Sequence, residues 1–362
     1  MQFSVSKSAL CSALALASRV VEKRSTIPIL SNVRLQAEAD SLTLTATDLD
    51  AALSVRIEAK VTTPGVTTLP AKKLADYSRL LPDGDVGFKV GENFWASVTA
   101  GRSRTRIAGM SAEGFPELPA MPEAVLTVPV AMFLTLVNRV RLAITTEQSR
   151  FTLNGALFDH REGHLRLVGT DGHRLAVAAA DLAGEQPTNF LLPASAIRNL
   201  SQLTNGAESF AISQDDNHLF FRSGDALLTT RKMSGNFPDY QRILPKDSKT
   251  VVTVNRAQLA AAISRVAQFA DERSHAIRLS LKDGELEVSA STMESGESAD
   301  AVPCDYAGAP LEIGFNAAYL ADFLGVVDAE AVTLHLSEAK AAGELRPSGS
   351  GDYRYIVMPM RI

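Results

Sequence analysis

The 362-residue chain is poor in the features that announce chemistry. It has two cysteines, Cys11 and Cys304, far apart in sequence. Neither a disulfide-stapled scaffold nor a paired thiolate metal site is therefore expected, and a reducing compartment is. No apolar run approaches the roughly 20 residues that span a bilayer. The opening MQFSVSKSAL lacks the basic stretch, apolar core and small-residue site of a secretory leader, so a cytoplasmic location is expected. There is no GxxxxGK[ST] loop and no GxGxxG turn, and no serine or cysteine sits in a nucleophile motif. His160, Glu162 and His164 fall in the order H-R-E-G-H, which is not HExxH and reads as a hairpin turn. Asp171 and His173 lie two apart on a strand without a third partner. The acids are scattered, not clustered as a catalytic metal pair requires. The expectation is a chain with no catalytic residue, no metal and no cofactor. Zinc-finger spacing, a basic zipper and a helix-turn-helix are missing too, so base reading is not expected. A net charge of −5 excludes a uniformly basic nucleic-acid binder, though not a local basic surface.

What the chain does have is a long internal repeat. Three segments begin as a short strand running into an amphipathic helix: FSVSKSALCSALALASRV, LTVPVAMFLTLVNRVRLA and VVTVNRAQLAAAISRVAQFA. Their valines Val5, Val128 and Val254 are 123 and 126 residues apart. A second strand-to-helix entry places Pro70, Pro193 and Phe315 at intervals of 123 and 122. Phe115-Pro116, Phe237-Pro238 and Pro359 keep 122 and 121, and Thr47-Asp48 and Thr170-Asp171 keep 123. A period of this length is a whole small domain. Three domains of one fold are therefore predicted, at 1–121, 123–247 and 250–362. Helical spacing at Leu259, Ala262, Ile263 and Val266, with alternating strands such as SLTLTATDLD and GELEVSAST, gives each domain an α+β layout. Each is expected to be two helices packed on antiparallel sheet. Asn255 and Asn316 are expected to cap helices, and Pro70 and Pro193 to sit in first turns.

The predicted helices cover 6–20, 70–81, 129–142, 193–203, 255–270 and 316–327. They hold ten Lys or Arg residues against Asp76 and Asp322, and no Glu, although Glu forms helices as readily as Lys. An acidic chain has thus concentrated positive charge on one repeated element. Basic helices without aromatic interleaving suit attraction to a phosphate backbone rather than base reading. If such helices line a closed ring about 9–10 Å apart, six give a bore of about 18 Å and twelve about 35 Å. Only the larger admits duplex DNA with water, so a three-domain chain would have to dimerise.

Three stretches carry a resemblance to a known family: TDGHRLAV at 170–177, FPDYQRILP at 237–245 and the terminal YIVMPMRI. With TIPILSNV, SRFTLNG, IGFN and the threefold repeat, the whole chain resembles the bacterial DNA polymerase III beta subunit, the sliding clamp. The resemblance implies a homodimeric ring around duplex DNA. That ring holds replicative polymerase, clamp loader and repair proteins by short linear motifs, with no membrane involved. It implies a partner groove of Leu153, Thr170, Gly172, His173, Arg174, Leu175, Pro238, Arg242, Ile243, Tyr319, Ile356, Val357, Met358, Pro359, Met360 and Arg361. Two methionines flanking a proline make an adaptable apolar patch, and the segment is expected to be docked. DNA contacts are implied at Arg24, Lys72, Phe151 and Thr152, to which the helix charges add Arg139, Arg141 and Arg198. Lys72 stands in place of an arginine, and Phe151 and Thr152 in place of tyrosines. At the protomer junction, between the first and third domains, Lys73, Arg102 and Arg104 are expected to meet Glu294 and Glu297, with Phe269 adding apolar contact.

Overall fold

The computed structural model describes residues 1–21, 26–147, 149–184, 186–203, 206–245, 248–293 and 296–361. The first repeat runs β1 (Gln2–Ser6), α1 (Lys7–Ala17), β2 (Asn32–Glu38), β3 (Ser41–Thr47), β4 (Ala51–Glu58), β5 (Lys60–Thr63), β6 (Gly65–Pro70), α2 (Ala71–Leu80), β7 (Asp85–Val90), β8 (Trp95–Ala100) and β9 (Ser103–Ala108). The second follows the same order: β10 (Leu126–Pro129), α3 (Val130–Val140), β11 (Gly155–Arg161), β12 (His164–Thr170), β13 (Arg174–Asp181), β14 (Thr188–Pro193), α4 (Ala194–Leu200), β15 (Ser209–Gln214), β16 (His218–Ser223) and β17 (Ala226–Arg231). The third is β18 (Thr250–Asn255), α5 (Arg256–Val266), β19 (Ala276–Lys282), β20 (Glu285–Thr292), β21 (Gly296–Asp305), β22 (Leu311–Asn316), α6 (Ala317–Val326), β23 (Ala331–Leu336), β24 (Gly343–Pro347) and β25 (Tyr353–Val357). The apparent extra strand β5 is a continuation of β4 past Ala59. It pairs with β1, just as the far end of β21 pairs with β18.

The helices form where the sequence predicts, with tighter ends. Ser6 accepts from the Ala9 N–H, Asn255 from Gln258, and Asn316 from Ala318 and Tyr319. These caps satisfy donors that a helix start leaves orphaned. Pro70 closes β6 and occupies the N-cap of α2, and Pro193 closes β14, so both lie one step earlier than the first turn. Proline supplies the right φ there but no side-chain acceptor. On α5 the buried stripe is Leu259, Ala262, Ile263 and Val266, as the 3.6-residue period requires.

The Thr-Asp landmarks are one turn made twice. Asp48 Oδ1 accepts from the N–H groups of Asp50 and Ala51, and Thr47 Oγ1 from Leu49. Asp171 Oδ1 accepts from His173 and Arg174, and Thr170 Oγ1 from Gly172. The third residue is left-handed in both, at φ 78° for Leu49 and 88° for Gly172. Glycine enters that conformation without strain, and leucine does not.

The strand pairing crosses the borders between repeats. One unit, Met1–Ala131 with Ser195–Lys232, holds a sheet ordered β5-β1-β7-β8-β9 and another ordered β10-β15-β16-β17-β4-β3-β2-β6. The other, Met132–Ala194 with Met233–Ile362, holds a single ladder, β14-β11-β12-β13-β25-β24-β23-β18-β21-β20-β19-β22. Hence β17, the last strand of repeat two, pairs with β4, the fourth strand of repeat one. Likewise β25, last of repeat three, pairs with β13, fourth of repeat two. The central repeat is shared between both compact units.

Stacked phenylalanines fill each interior. Phe3 lies against Phe88 with ring centroids 4.8 Å apart, and Phe158 against Phe190 at 4.5 Å. Both pairs are direct cross-strand neighbours. Phe158 is fully buried. Phe158→Ala should therefore cost about 3–5 kcal/mol, and Phe158→Leu well under half of that. Urea denaturation checks this; a loss below about 1 kcal/mol for the alanine variant would show that the pair does not hold the sheet.

Candidate functional site

The groove predicted from sequence is built on β13 and β25, which pair Leu175 with Ile356 and Arg174 with Val357. Leu175 and Ile356 are buried in an apolar cluster with Leu157, Val168, Val177, Leu191 and Tyr240. Met233, Phe237 and Leu244 pack onto it from the segment that follows. Around this solid floor several side chains stay open. Met358 is 46% exposed and Ile243 41%; Pro238 and His173 are also exposed, while Leu153, Pro359 and Met360 are half-buried. An exposed methionine here is not core.

Backbone hydrogen bonds fix the rim. Met358 N donates to His173 O at 2.9 Å, which ties the terminal segment to the Thr170–Arg174 turn. Met360 N donates to Gly314 O at 2.8 Å, so the segment is docked as expected. Ile243 N donates to Tyr240 O at 3.0 Å within a short 3-10 turn. Leu153 ends another such turn, Phe151–Leu153. That stretch is linked to the rim by Arg150, whose Nη1 donates to Asp171 O at 2.7 Å.

The Arg174 guanidinium is engaged on several sides. Its Nε donates to Asp171 at 3.0 Å, and its Nη1 to Asp322 at 2.5 Å and to the Tyr355 hydroxyl at 3.1 Å. It stacks over the Tyr319 ring at 4.3 Å. Burial works against its charge, but Tyr355, Asp322 and Asp171 more than compensate, so it stays fully protonated. Burial also pushes the Tyr355 phenol well up, so it remains a neutral donor to Tyr319 O at 3.0 Å. Asp171, Asp322, Tyr355 and Arg150 belong to the site although the sequence did not nominate them. By contrast, among the described residues Arg242 is exposed and ion-paired only with Asp239 at 2.9 Å, and Arg361 is exposed with no ion pair. A site with an apolar floor, flexible methionine lips and pinned polar groups is suited to holding a short peptide, and it offers no nucleophile or acid–base pair.

Comparison with known proteins agrees with that geometry. Residues 1–119, 127–239 and 241–361 match family models described as the N-terminal, central and C-terminal domains of the DNA polymerase III beta subunit. The chain belongs to the sliding-clamp family. It is 36% identical to a beta sliding clamp of Pseudomonas putida and 34% to one of Caulobacter vibrioides, each aligned over all of both chains. Its fold is similar to a Pseudomonas aeruginosa sliding clamp bound to griselimycin, with TM-score 0.95, 35% identity and full coverage of both chains. A Bacillus subtilis clamp gives TM-score 0.96 at 25% identity, covering all of this chain and 99% of that one. The clamp is a DNA polymerase processivity factor of three repeated domains, not an enzyme.

The helix charges of the clamp divide into two groups. Lys7, Arg79 and Arg265 are salt-bridged to Asp83, Asp76 and Asp300. Arg256 donates to the carbonyls of Leu324 and Ala329, and Arg139 lies over the Tyr353 ring at 5.4 Å. Arg19, Lys72, Lys73, Arg141 and Arg198 are exposed and unpaired among the described residues. Phe151 is 54% exposed, whereas Thr152 is half-buried and its methyl abuts Gly235. Arg24 and Glu294 lie outside the described residues. No helix among those described is long and apolar enough to cross a membrane.

Arg174→Ala should destabilise the clamp by about 2–3 kcal/mol, since it leaves Asp171 unpaired in a mostly buried place. Arg174→Lys should recover less than half, because an ammonium cannot match three directions of a planar fork. The midpoint of urea unfolding reads both; a neutral alanine variant would remove Arg174 from the framework.

Proposed function

We propose that two copies of the clamp close head to tail into a ring around duplex DNA. Partner proteins dock their short linear motifs in the groove of Leu175, Ile243, Ile356, Met358, Pro359 and Met360. The observation that carries the closure is the pairing rule between repeats. The last strand of one repeat joins the fourth strand of the repeat before it, twice within the chain. Applied once more, the rule leaves β9, last strand of the first repeat, and β21, fourth strand of the third. Among the described residues β9 pairs only with β8, and Gly296–Pro303 of β21 only with β20. An open ladder of donors and acceptors on each strand awaits a partner. Two chains satisfy both edges and close, the commonest form of oligomer.

Side chains at the two edges complement each other. Arg104 and Arg106 alternate on the exposed face of β9, with Arg106 over the Trp95 ring at 5.1 Å, and Arg102 sits in the turn just before the strand. Glu297 is exposed on β21, while Asp300 is already taken by Arg265. Lys73 lies exposed on α2, and Phe269 is half-buried at the end of α5 beside β20 and β21. Such rim charges fix orientation more than affinity. Reversing Arg102 and Arg104 to Glu should shift sedimentation of micromolar protein toward monomer, and an added Glu297→Arg should restore part of the dimer. An unchanged dimer in the double reversal would place the junction elsewhere.

DNA is held by enclosure. The basic positions Arg24, Lys72, Arg139, Arg141, Arg198 and the Phe151–Thr152 turn add weak attraction that ignores sequence and fades with salt. The three domains divide near residues 121–123 and 247–250, and the protein works in the cytoplasm without a cofactor. A ring loaded on a nicked circle should survive salt that abolishes binding to linear duplex, then be lost once the circle is cut. Equal retention on circular and linear DNA would rule enclosure out.

A further inference from the structure

The groove does not end at its apolar floor. Alternate residues of a strand share one face, so Leu175, Val177 and Ala179 continue along the same side of β13. Their direct neighbours are Ile356 and Arg354 on β25, opposite Leu175 and Val177, and Val168 and Arg166 on β12, opposite Val177 and Ala179. Within two residues of the floor the face therefore turns from apolar to basic. There the segment Tyr240–Pro245 walls off a cleft of about 700 Å³, with Val177 and Ala179 at its base and Arg166 and Arg354 on its sides.

The two arginines are prepared differently. Arg354 is pinned: its Nε and Nη2 donate to the Glu344 carboxylate and its Nη2 also to Pro245 O at 3.2 Å. Glu344 is 1% exposed and is shared with Arg346. Burial would raise its pKa, but the two guanidiniums overcome this and hold it below the ordinary carboxylate range. One carboxylate facing two guanidiniums leaves a positive surplus, and the Arg354 Nη1 has no partner among the described residues. Arg166 carries no ion pair among the described residues, unlike its neighbour Arg161, which is held by Asp159 at 2.8 Å. Glu162 and Asp352 also line the cleft, and their charge opposes a run of phosphates more than it opposes a single carboxylate.

We infer that this cleft receives one acidic side chain, Asp or Glu, from the segment flanking the motif that a partner lays in the groove. The inference rests on the groove reading and adds a specificity determinant to it. Charge complementarity and continuity with the groove through β13, β25 and Tyr240 select this occupant. From Leu175 to Ala179 is four residues, or about 13 Å along a strand. An extended peptide covers that distance in about four residues, so the acid should stand three to five positions from the apolar anchors. A guanidinium–carboxylate fork fixes geometry as well as adding attraction.

The test uses synthetic peptides and the full-length clamp. One peptide carries only a Gln followed by a Leu-Phe pair. Two others add a Glu four positions before or after that core. Calorimetry at low salt should show one extended peptide binding about five- to tenfold tighter than the core alone. Arg166→Glu should abolish that gain while leaving the core peptide within twofold of wild type, and Arg166→Lys should retain part of it. No gain from either extension, or a gain that survives Arg166→Glu, overturns the assignment. So would Arg166→Glu weakening binding of a short duplex while leaving all three peptides unchanged. Failure of the core peptide to bind the unaltered clamp is a different result: it overturns the groove itself.

Discussion

The backbone ladder between successive repeats is the constraint on which the molecule rests. A strand at the end of a sheet presents unpaired N–H and C=O groups, and a soluble protein has to cover them. In this chain the cover for repeat one is β17 of repeat two, and the cover for repeat two is β25 of repeat three. Because the hydrogen bonds involve main-chain atoms, the junctions tolerate wide sequence drift among repeats. They preserve only the spacing that presents the right strand at the right edge. The same pattern leaves β9 and Gly296–Pro303 of β21 without the counterpart that β17 and β25 find, among the described residues.

The partner groove is built on one of those junctions. Leu175 and Ile356 belong to different repeats and meet only because β13 pairs with β25. The site is densely hydrogen-bonded where repeats join and exposed where the chain comes to the surface. Arg174, Asp322 and Tyr355 lock the framework, while Met358 and Ile243 remain exposed and adaptable. That division suits a surface that must accept several motifs: the pinned part sets register, and the unbranched methionine side chain adjusts to shape.

Much of the architecture was legible in the sequence, and the reasons differ from element to element. The period of about 123 residues survives because each repeat needs the same Thr-Asp turn and the same capped helices, which are local demands on local residues. Asn255 and Asn316 could be assigned as caps for that reason. Strand partners across repeats could not be read, since nothing in Ala226–Arg231 itself specifies Ala51–Val55. The fate of Arg174 was equally hidden: its partners Asp322 and Tyr355 are 148 and 181 residues away. The helix charges were counted correctly, yet their availability was not visible. Arg256 and Arg265 find their acceptors at Leu324, Ala329 and Asp300, far along the chain. Asp300, three residues from Glu297, is likewise taken by Arg265 of α5.

The sharing of the central repeat has a consequence for how the chain folds and can be cut. Its strands β10 and β15 to β17 are cemented into one compact unit, and β11 to β14 into the other. The unit of sequence duplication is therefore not the unit of compact packing. A fragment excised at the boundaries of repeat two would carry two newly bared sheet edges and only four strands of each unit, and would be prone to aggregate. Nascent chain emerging from the ribosome meets the same problem: β4 must wait for β17, some 170 residues later. Ancestry and autonomy have come apart in this molecule, and the gene's internal symmetry does not mark where the polypeptide can be divided.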